Sequence, residues 1–337
     1  MATLYHLRFR SPLHIGERGV GLEETRAYVP ADTLFSAIST AWRWLYGTSS
    51  LEQQLLEPFI AEQPPFLLTS AFPFAGDVRF YPKPQGRWQN LHIAPGAEKN
   101  VKRIRWLSES VFSRWIAGEE LSPDDQVMDG AVWMNDDERR SLSSLLDVET
   151  GALAIWRIYS VPRVALDRIS QASSIWFLAQ VVFAREAGLW FAVDYYRDNS
   201  LREQVEACLR LLGDSGLGAE RGSGYGLFTL DTPVEYPLPE APDPSHALTL
   251  APCCPRDADL PAFLANDSAY DILPRRGWVC SPEAANLRRK LVYMFAEGSV
   301  LQRQQTSFVG QLVDVKPDPC SHHVWRYGYA FLVGVRR

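Results

Sequence analysis

The sequence predicts an α+β chain of two domains in tandem, the first interrupted by a large insertion. Three observations lead there. The length, 337 residues, fits about two domains at roughly 150 residues each. The regular segments of the first part follow the order β-α, a long irregular stretch, then β-β-α-β. A proline-rich stretch, Glu235–Pro244, separates this part from a further series of strand-like runs.

Each element has its own signal. Tyr5, Leu7 and Phe9 alternate with His6, Arg8 and Arg10, the period of a half-buried strand, so Leu4–Arg10 reads as the first strand. Asp32 stands just before an apolar periodic run, so it reads as a helix N-cap. Leu34, Ile38, Ala41 and Leu45 recur at helical spacing, and Gly47 ends that helix. A second helical run, Leu51–Ile60, stops before Pro64-Pro65. From 64 to 151 the chain is rich in Pro and Gly and reads as an insertion. Ser174–Ala184 and Leu189–Tyr196 are β-branched and aromatic and predict a hairpin turning at 186–188. Leu201–Leu212 is helical, and a strand follows near Tyr225–Leu230.

This order is the split βαβ arrangement of a ferredoxin-like (RRM-like) domain, residues 1–235, with helices on one sheet face and the other face free. RNA-recognition modules use such a free face. Strand-like runs at Ala247–Ala251, Leu291–Ala296, Gln311–Val315 and Trp325–Val335 suggest a second ferredoxin-like domain over 245–337.

Composition excludes several classes. Hydrophobic residues at 46% and charged residues at 22% are globular values, not those of a disordered chain. No apolar run is long enough to span a bilayer, and the N-terminus lacks a signal-peptide core, so a cytoplasmic protein without membrane contact is expected. The net charge of −6 argues against a generic nucleic-acid binder, though not against a local basic groove. Of the 34 basic residues 29 are arginine, whose planar fork suits phosphate. Five cysteines without a CxxC argue against a disulfide framework or a zinc knuckle, and Cys320-Ser321-His322-His323 has no matching second pair. No metal site and no cofactor is expected.

Four segments could carry chemistry. Five glycines fall within 216–226: Gly216, Gly218, Gly222, Gly224 and Gly226. Glycine lets backbone N–H groups form an anion nest, and Arg221 adds a fork, with Ser223 and Tyr225 alongside. The order helix, glycines, strand is the reverse of a dinucleotide fingerprint. His14 and Gly16 follow the first strand, where a histidine could serve as a general base. Lys99, Lys102, Arg103 and Arg105 stand beside Trp106, a set suited to phosphate contact next to a stacking indole. Arg163 and Arg168 lie in a segment leading to the central hairpin. No P-loop, HExxH or GxSxG occurs.

The opening strand, Ser11-Pro-Leu-His14-Ile-Gly16, and Pro30-Ala-Asp32-Thr-Leu-Phe-Ser36 together resemble the start of RAMP proteins of CRISPR systems. The 216–228 segment is similar to their glycine-rich loop. Within that superfamily the chain resembles the fourth Csm subunit of type III-A effector complexes, of the Cas-five group. Arg289–Val300 and Lys99–Trp106 carry that narrower likeness. Ala219 and Gly222 depart from the family pattern, which usually has a second consecutive glycine and a small hydroxyl residue there, but both keep the loop small.

The resemblance implies two ferredoxin-like domains and a non-catalytic RNA-binding subunit. That subunit holds the repeat-derived 5′ handle of the crRNA and docks the large polymerase-type subunit and the backbone RAMP subunit. On this reading the RNA-contacting residues are His14, Gly16, Lys99, Lys102, Arg103, Arg105, Arg163, Arg168, Gly216, Gly218, Arg221, Gly222, Ser223, Gly224, Tyr225 and Gly226. The rival is a metal-independent crRNA-processing endoribonuclease of the same superfamily with His14 as its base. A third reading is a pure protein-interaction subunit.

Overall fold

The structure, a computed structural model, describes residues 1–337 apart from 17–21, 94–97, 123–126, 129–130, 148, 197–198, 282–283, 285–286, 305 and 307. It is a mixed α+β fold with several sheets. The main sheet runs in the order Phe228–Leu230, Ala2–Phe9, Ala187–Tyr195, Phe72–Ala75, Val78–Pro82, Trp106–Ser108, Val132–Trp133, Val127–Met128. The first strand sits inside it, with Thr3 opposite Val193, Leu7 opposite Leu189 and Phe9 opposite Phe228. Its alternation is legible in the structure: Tyr5 and Leu7 are fully buried, while His6 and Arg8 are half-buried.

The two long helices, Ala31–Ser50 and Asn199–Ser215, pack against each other on the Tyr5 face. Tyr5 stacks on Phe191 at 5.1 Å and its hydroxyl donates to Glu206 of the second helix at 3.3 Å. Leu34, Phe35, Ile38, Ala41 and Trp42 form the buried stripe of the first helix, whereas Leu45 points outward, 44% exposed. Gly47 breaks the helical dihedrals with φ of 84°, as expected of a helix-ending glycine.

Four expectations are corrected. Asp32 does not cap the helix. Pro30 holds the N-cap position with extended dihedrals, and the orphan N–H of Ala31 donates to Ser70 Oγ, a hydroxyl from outside the helix, at 2.9 Å. The segment 174–184 does not form a hairpin with 189–196. Ser173–Phe183 pairs with Trp156–Leu166 instead, in an eleven-residue two-stranded ribbon turning at 167–172. Strand composition specifies a pleated, half-buried surface and not a partner.

The region 64–151 is not merely an insertion. Phe66–Leu68 and Phe72–Ala75 are the strands that flank Ala187–Tyr195. Finally, the second sheet face is free only in part. Helix Glu109–Ile116 covers the portion formed by Val78–Pro82 and Trp106–Ser108, with Tyr81 stacked on Phe112 at 4.5 Å and against the buried Trp190 at 4.8 Å. Arg79 and Tyr81 close that portion by donating to Glu109 at 2.9 and 3.1 Å. The other end of this face, at Arg8 and Thr229, stays partly exposed.

Beyond 245 the described strands form three small antiparallel groups. One is Val300–Gln302, His246–Thr249 and Leu332–Val335; the others are the pairs Ile272–Arg275 with Val292–Phe295, and Gly310–Asp314 with Trp325–Tyr329. This part shares the main hydrophobic core: Leu248, Tyr327 and Tyr329 are buried in one cluster with Leu34, Phe35 and Phe59. Tyr327 packs on Phe35 at 5.1 Å and its hydroxyl accepts from the Leu68 N–H at 3.2 Å, while Tyr329 donates to the Phe59 carbonyl at 2.6 Å.

Candidate nucleic-acid interface

A cleft of about 1450 Å³ opens where the glycine-rich loop, the first helix, the ribbon and the C-terminal part meet. Its walls carry four carboxylates, Glu23, Glu24, Asp32 and Glu220, and five guanidiniums, Arg221, Arg275, Arg276, Arg289 and Arg326. The indoles of Trp44 and Trp278 stand at its rim, 55% and 44% exposed, with Trp176 and Phe177 of the ribbon completing the aromatic edge. Exposed aromatic faces next to guanidiniums are the groups that hold single-stranded nucleic acid by stacking and charge.

The loop divides into a packed base and an open tip. A Cβ on Gly226 would lie 2.0 Å from the Leu217 carbonyl, and one on Gly218 would lie 2.5 Å from the His14 carbonyl. These glycines, like Gly216, serve the loop's own close packing, all with positive φ. A Cβ added to Gly222 or Gly224 would meet nothing within 4 Å, so this tip faces open space. The N–H groups of Gly216, Ser223, Gly224, Tyr225 and Gly226 already donate to Leu212, Glu220, Arg221, Glu220 and Pro12 carbonyls. The predicted nest thus narrows to Gly218, Glu220, Arg221 and Gly222, whose N–H groups show no partner among the described residues. Arg221 lies over the Trp44 ring at 5.9 Å and pairs with no carboxylate among the described residues.

The cleft floor holds a buried charge cluster that sequence reading missed. Arg275 donates Nε to Asp32 Oδ2 at 3.0 Å and Nη2 to Oδ1 at 2.9 Å, and its Nη2 also reaches Thr33 Oγ1 at 2.8 Å. Arg326 pairs with the same Oδ2 and donates to the Arg276 carbonyl at 2.9 Å. Arg289 donates to Ser36 Oγ at 3.1 Å. Burial would raise the Asp32 carboxyl, but Arg275 and Arg326 outweigh it and hold it below the usual carboxylate range. Burial lowers Arg326 to about 10, with Arg275 and Arg289 adding repulsion against the attraction of Asp32. The only local sequence signal was Asp32 itself, whose partners lie 243 and 294 positions away.

The remaining predicted residues fall in three places. His14 lines the cleft with Gly16 but is only 1% exposed, and its Nδ1–H donates to the Ala179 carbonyl at 2.7 Å, tying the first loop to the ribbon. Tyr225 is buried. It accepts from Arg163 Nη2 at 2.8 Å and donates to Gln180 at 2.6 Å, so both predicted contacts link loop and ribbon. Arg168 is exposed at the ribbon's turn, outside the cleft.

Lys99, Lys102, Arg103 and Arg105 are exposed but do not border the cleft. Helix Glu98–Arg103 precedes strand Trp106–Ser108, which three strands separate from Ala2–Phe9, about 19 Å at the usual inter-strand spacing. Trp106 is no stacking platform, being buried against Tyr28 and Phe72. Among the described residues no cluster of three or more His, Cys, Asp or Glu could hold a metal ion, and no helix is long and apolar enough to cross a membrane.

Comparisons with known proteins agree with this architecture. Residues 6–229 match the family model of the RAMP superfamily, and residues 243–335 match that of the CRISPR Csm4 C-terminal domain. The chain is 26% identical over 320 residues to the "CRISPR system Cms protein Csm4" of Thermococcus onnurineus (strain NA1), covering 90% of this chain and 91% of the relative. It is 28% identical over 324 residues to the protein of the same name from Mycobacterium tuberculosis (strain ATCC 25618 / H37Rv), covering 93% and 91%. In fold it is similar to a chain of the crystal structure of a Csm3–Csm4 subcomplex in the type III-A CRISPR-Cas interference complex, with TM-score 0.71, 16% identity and 100% coverage of both chains. A chain of the Csm1–Csm4 cassette in complex with cA4 matches with TM-score 0.60 and 19% identity over 99% and 98% of the two chains. The chain belongs to the RAMP superfamily and, within it, to the Csm4 family of CRISPR systems.

Proposed function

We propose that this chain is the non-catalytic, cytoplasmic RNA-holding subunit of a type III-A CRISPR interference complex, and that its cleft holds the 5′ handle of the crRNA. The observation that carries the reading is the open tip at Gly222–Gly224, with Arg221 on Trp44, at the mouth of a cleft lined by four further guanidiniums. Phosphates would meet the free N–H groups and arginine forks, and bases the exposed indoles. The relatives seen with Csm3 and with Csm1 support two protein partners, a backbone RAMP subunit and the large polymerase-type subunit.

We further read residues 1–235 and 245–337 as two units. Phe228–Leu230, Ala2–Phe9, Ala187–Tyr195 and Phe72–Ala75, with their two helices, stand in the strand order of a ferredoxin-like domain. Residues 245–337 would be a diverged second copy that keeps the antiparallel strands and has lost most of the helical layer.

The reading is tested by titrating the full chain with crRNA that carries its 5′ handle and with the same RNA lacking it, while following RNA integrity. Tighter binding of the handle-bearing RNA, without cleavage, is expected. Arg221→Ala should weaken it with a shallower salt dependence, by roughly one phosphate contact. Equal binding of both RNAs would remove the handle reading, and His14-dependent cleavage would replace it with the endoribonuclease.

A further inference from the structure

We propose that Arg275, Arg289 and Arg326, gathered around Asp32 on the cleft floor, form a phosphate pocket that takes one internal phosphodiester of the RNA strand at the seam between the two units. This rests on the reading that the cleft holds RNA and adds a second anchor, remote in sequence from the glycine-rich loop.

The first support is charge. Two guanidiniums share one carboxylate, that of Asp32, whose oxygens are both engaged, Oδ1 by Arg275 and Oδ2 by Arg275 and Arg326, while the third, Arg289, stands near it without pairing. The other partners are neutral: Thr33 Oγ1, Ser36 Oγ and the Arg276 carbonyl. Nε of Arg289 and Nε of Arg326 have no hydrogen-bond partner among the described residues, and Arg326 is 2% exposed. A buried cation left short of anions is costly, so a site with surplus guanidinium invites an anion.

The surrounding carboxylates do not supply it. Glu297 is buried and accepts from Ser70 Oγ at 2.6 Å, and among the described residues it makes no ion pair with any of the three arginines. Glu23, Glu24 and Glu220 line the cleft, but among the described residues none of them pairs with any of the three arginines, and water screens the exposed Glu23 and Glu24. Buried charges act at a lower effective dielectric than rim charges, so the floor sets the sign of the local field.

The second support is placement. All four residues line the same cleft as the open glycine tip, Arg221, Trp44 and Trp278. A volume of about 1450 Å³ is far larger than a single ion requires and suits a length of strand. Arginine forks match two phosphate oxygens at once. A phosphodiester seated there would touch Ile272–Arg275, the strand Trp325–Tyr329 that carries Arg326, and the first helix together, and so would clamp the C-terminal part on the N-terminal part.

The experiment uses the full chain and fluorescence anisotropy with handle RNAs in which one phosphodiester at a time is replaced by an uncharged methylphosphonate. In the wild type, one linkage should cost roughly tenfold in affinity, the order of one charge-assisted contact. In Arg289→Ala the overall affinity should fall by about the same factor, and that linkage should no longer cost anything. Ser36→Ala, which removes only the protein partner of Arg289, should bind within about twofold of wild type. Arg289→Lys keeps charge without the fork and serves if Arg289→Ala is poorly folded; it too should lose the position-specific penalty.

Identical methylphosphonate penalties in wild type and in the Arg289 variants would overturn the pocket while leaving the handle reading intact. A pocket for free nucleotide is an overturning result of a different kind. There, a mononucleotide would raise the melting temperature of wild type but not of Arg289→Ala, and no methylphosphonate would matter. Absence of any handle preference in the wild type would instead remove the underlying RNA reading.

Discussion

Arg275 grips Asp32 with two parallel hydrogen bonds, of 3.0 and 2.9 Å, joining a strand of the C-terminal part to the first turn of helix Ala31–Ser50. The carboxylate is 2% exposed and also takes Arg326. This joint fixes the floor of the cleft, and its removal is the first prediction. Asp32→Asn keeps the shape and deletes the charge, leaving two buried guanidiniums uncompensated. Urea unfolding should show a loss of about 3–5 kcal/mol. The sign with pH follows from the lowered carboxyl. Its contribution is complete above the unfolded value near 3.9 and fades only as pH falls through the lower folded value. A variant as stable as the wild type would show that the pair does not hold the two parts together.

The glycine-rich loop should separate folding from binding. Gly226→Ala places a methyl 2.0 Å from the Leu217 carbonyl at a φ of +73°, so the loop must move and the melting temperature must drop. Gly222→Ala meets nothing within 4 Å, and stability should stay within about 0.5 kcal/mol. RNA affinity should nevertheless fall several-fold, because the added methyl occupies the face the strand approaches. Unchanged affinity in Gly222→Ala would place the RNA elsewhere.

Tyr225 makes a third case. Its hydroxyl accepts from Arg163 and donates to Gln180, linking loop to ribbon. Tyr225→Phe leaves the ring and removes both contacts, which should cost about 1–2 kcal/mol in denaturant unfolding. Limited proteolysis within 167–172 should become faster as the ribbon loosens. An unchanged digestion rate would show that the ribbon is held by its other contacts, such as the Leu13–Val181 bridge.

What could be read in advance depended on range. The first strand was legible because Tyr5 and Leu7 alternate with polar residues within a few positions. The first helix was legible from Leu34, Ile38 and Ala41, and the break in its helical dihedrals from Gly47. The strand runs beyond 245 were also near their observed places, with Gln311–Val315 observed as Gly310–Asp314. What failed was pairing. Nothing local in Ser173–Phe183 distinguishes Trp156–Leu166 from Ala187–Tyr195 as its partner. Asp32 carried a local cap signal that a distant Arg275–Arg326 pair overrode, while Ser70 took over the cap. The basic run Lys99–Arg105 was visible, but its distance from the glycine loop is a property of strand order.

His6 gives a pH prediction. Burial, with Arg79 and Arg8 adding to it against Asp231, lowers its imidazole to about 4. The folded state therefore keeps it neutral, while the unfolded chain protonates it near 6.5. Stability is full above about pH 6.5 and falls as pH drops toward 4, because the unfolded state binds the extra proton. The slope attributable to one such group approaches about 1.4 kcal/mol per pH unit. In His6→Phe, which can still pack against Phe74, the slope between about pH 6 and 4.5 should be shallower than in wild type by about that amount. Equal slopes would mean that His6 titrates alike in both states.

The location of the RNA is the central claim, and photo-crosslinking tests it most directly. Handle RNA carrying 4-thiouridine would be bound to the full chain, irradiated, and the attached peptides identified by mass spectrometry. The cleft reading predicts adducts on the exposed aromatic edge, at Trp44, Trp176, Phe177 and Trp278, and on the loop tip at 221–223. Adducts confined to helix Glu98–Arg103 and Arg105, with none in the cleft, would contradict it and move the RNA to the far end of the sheet.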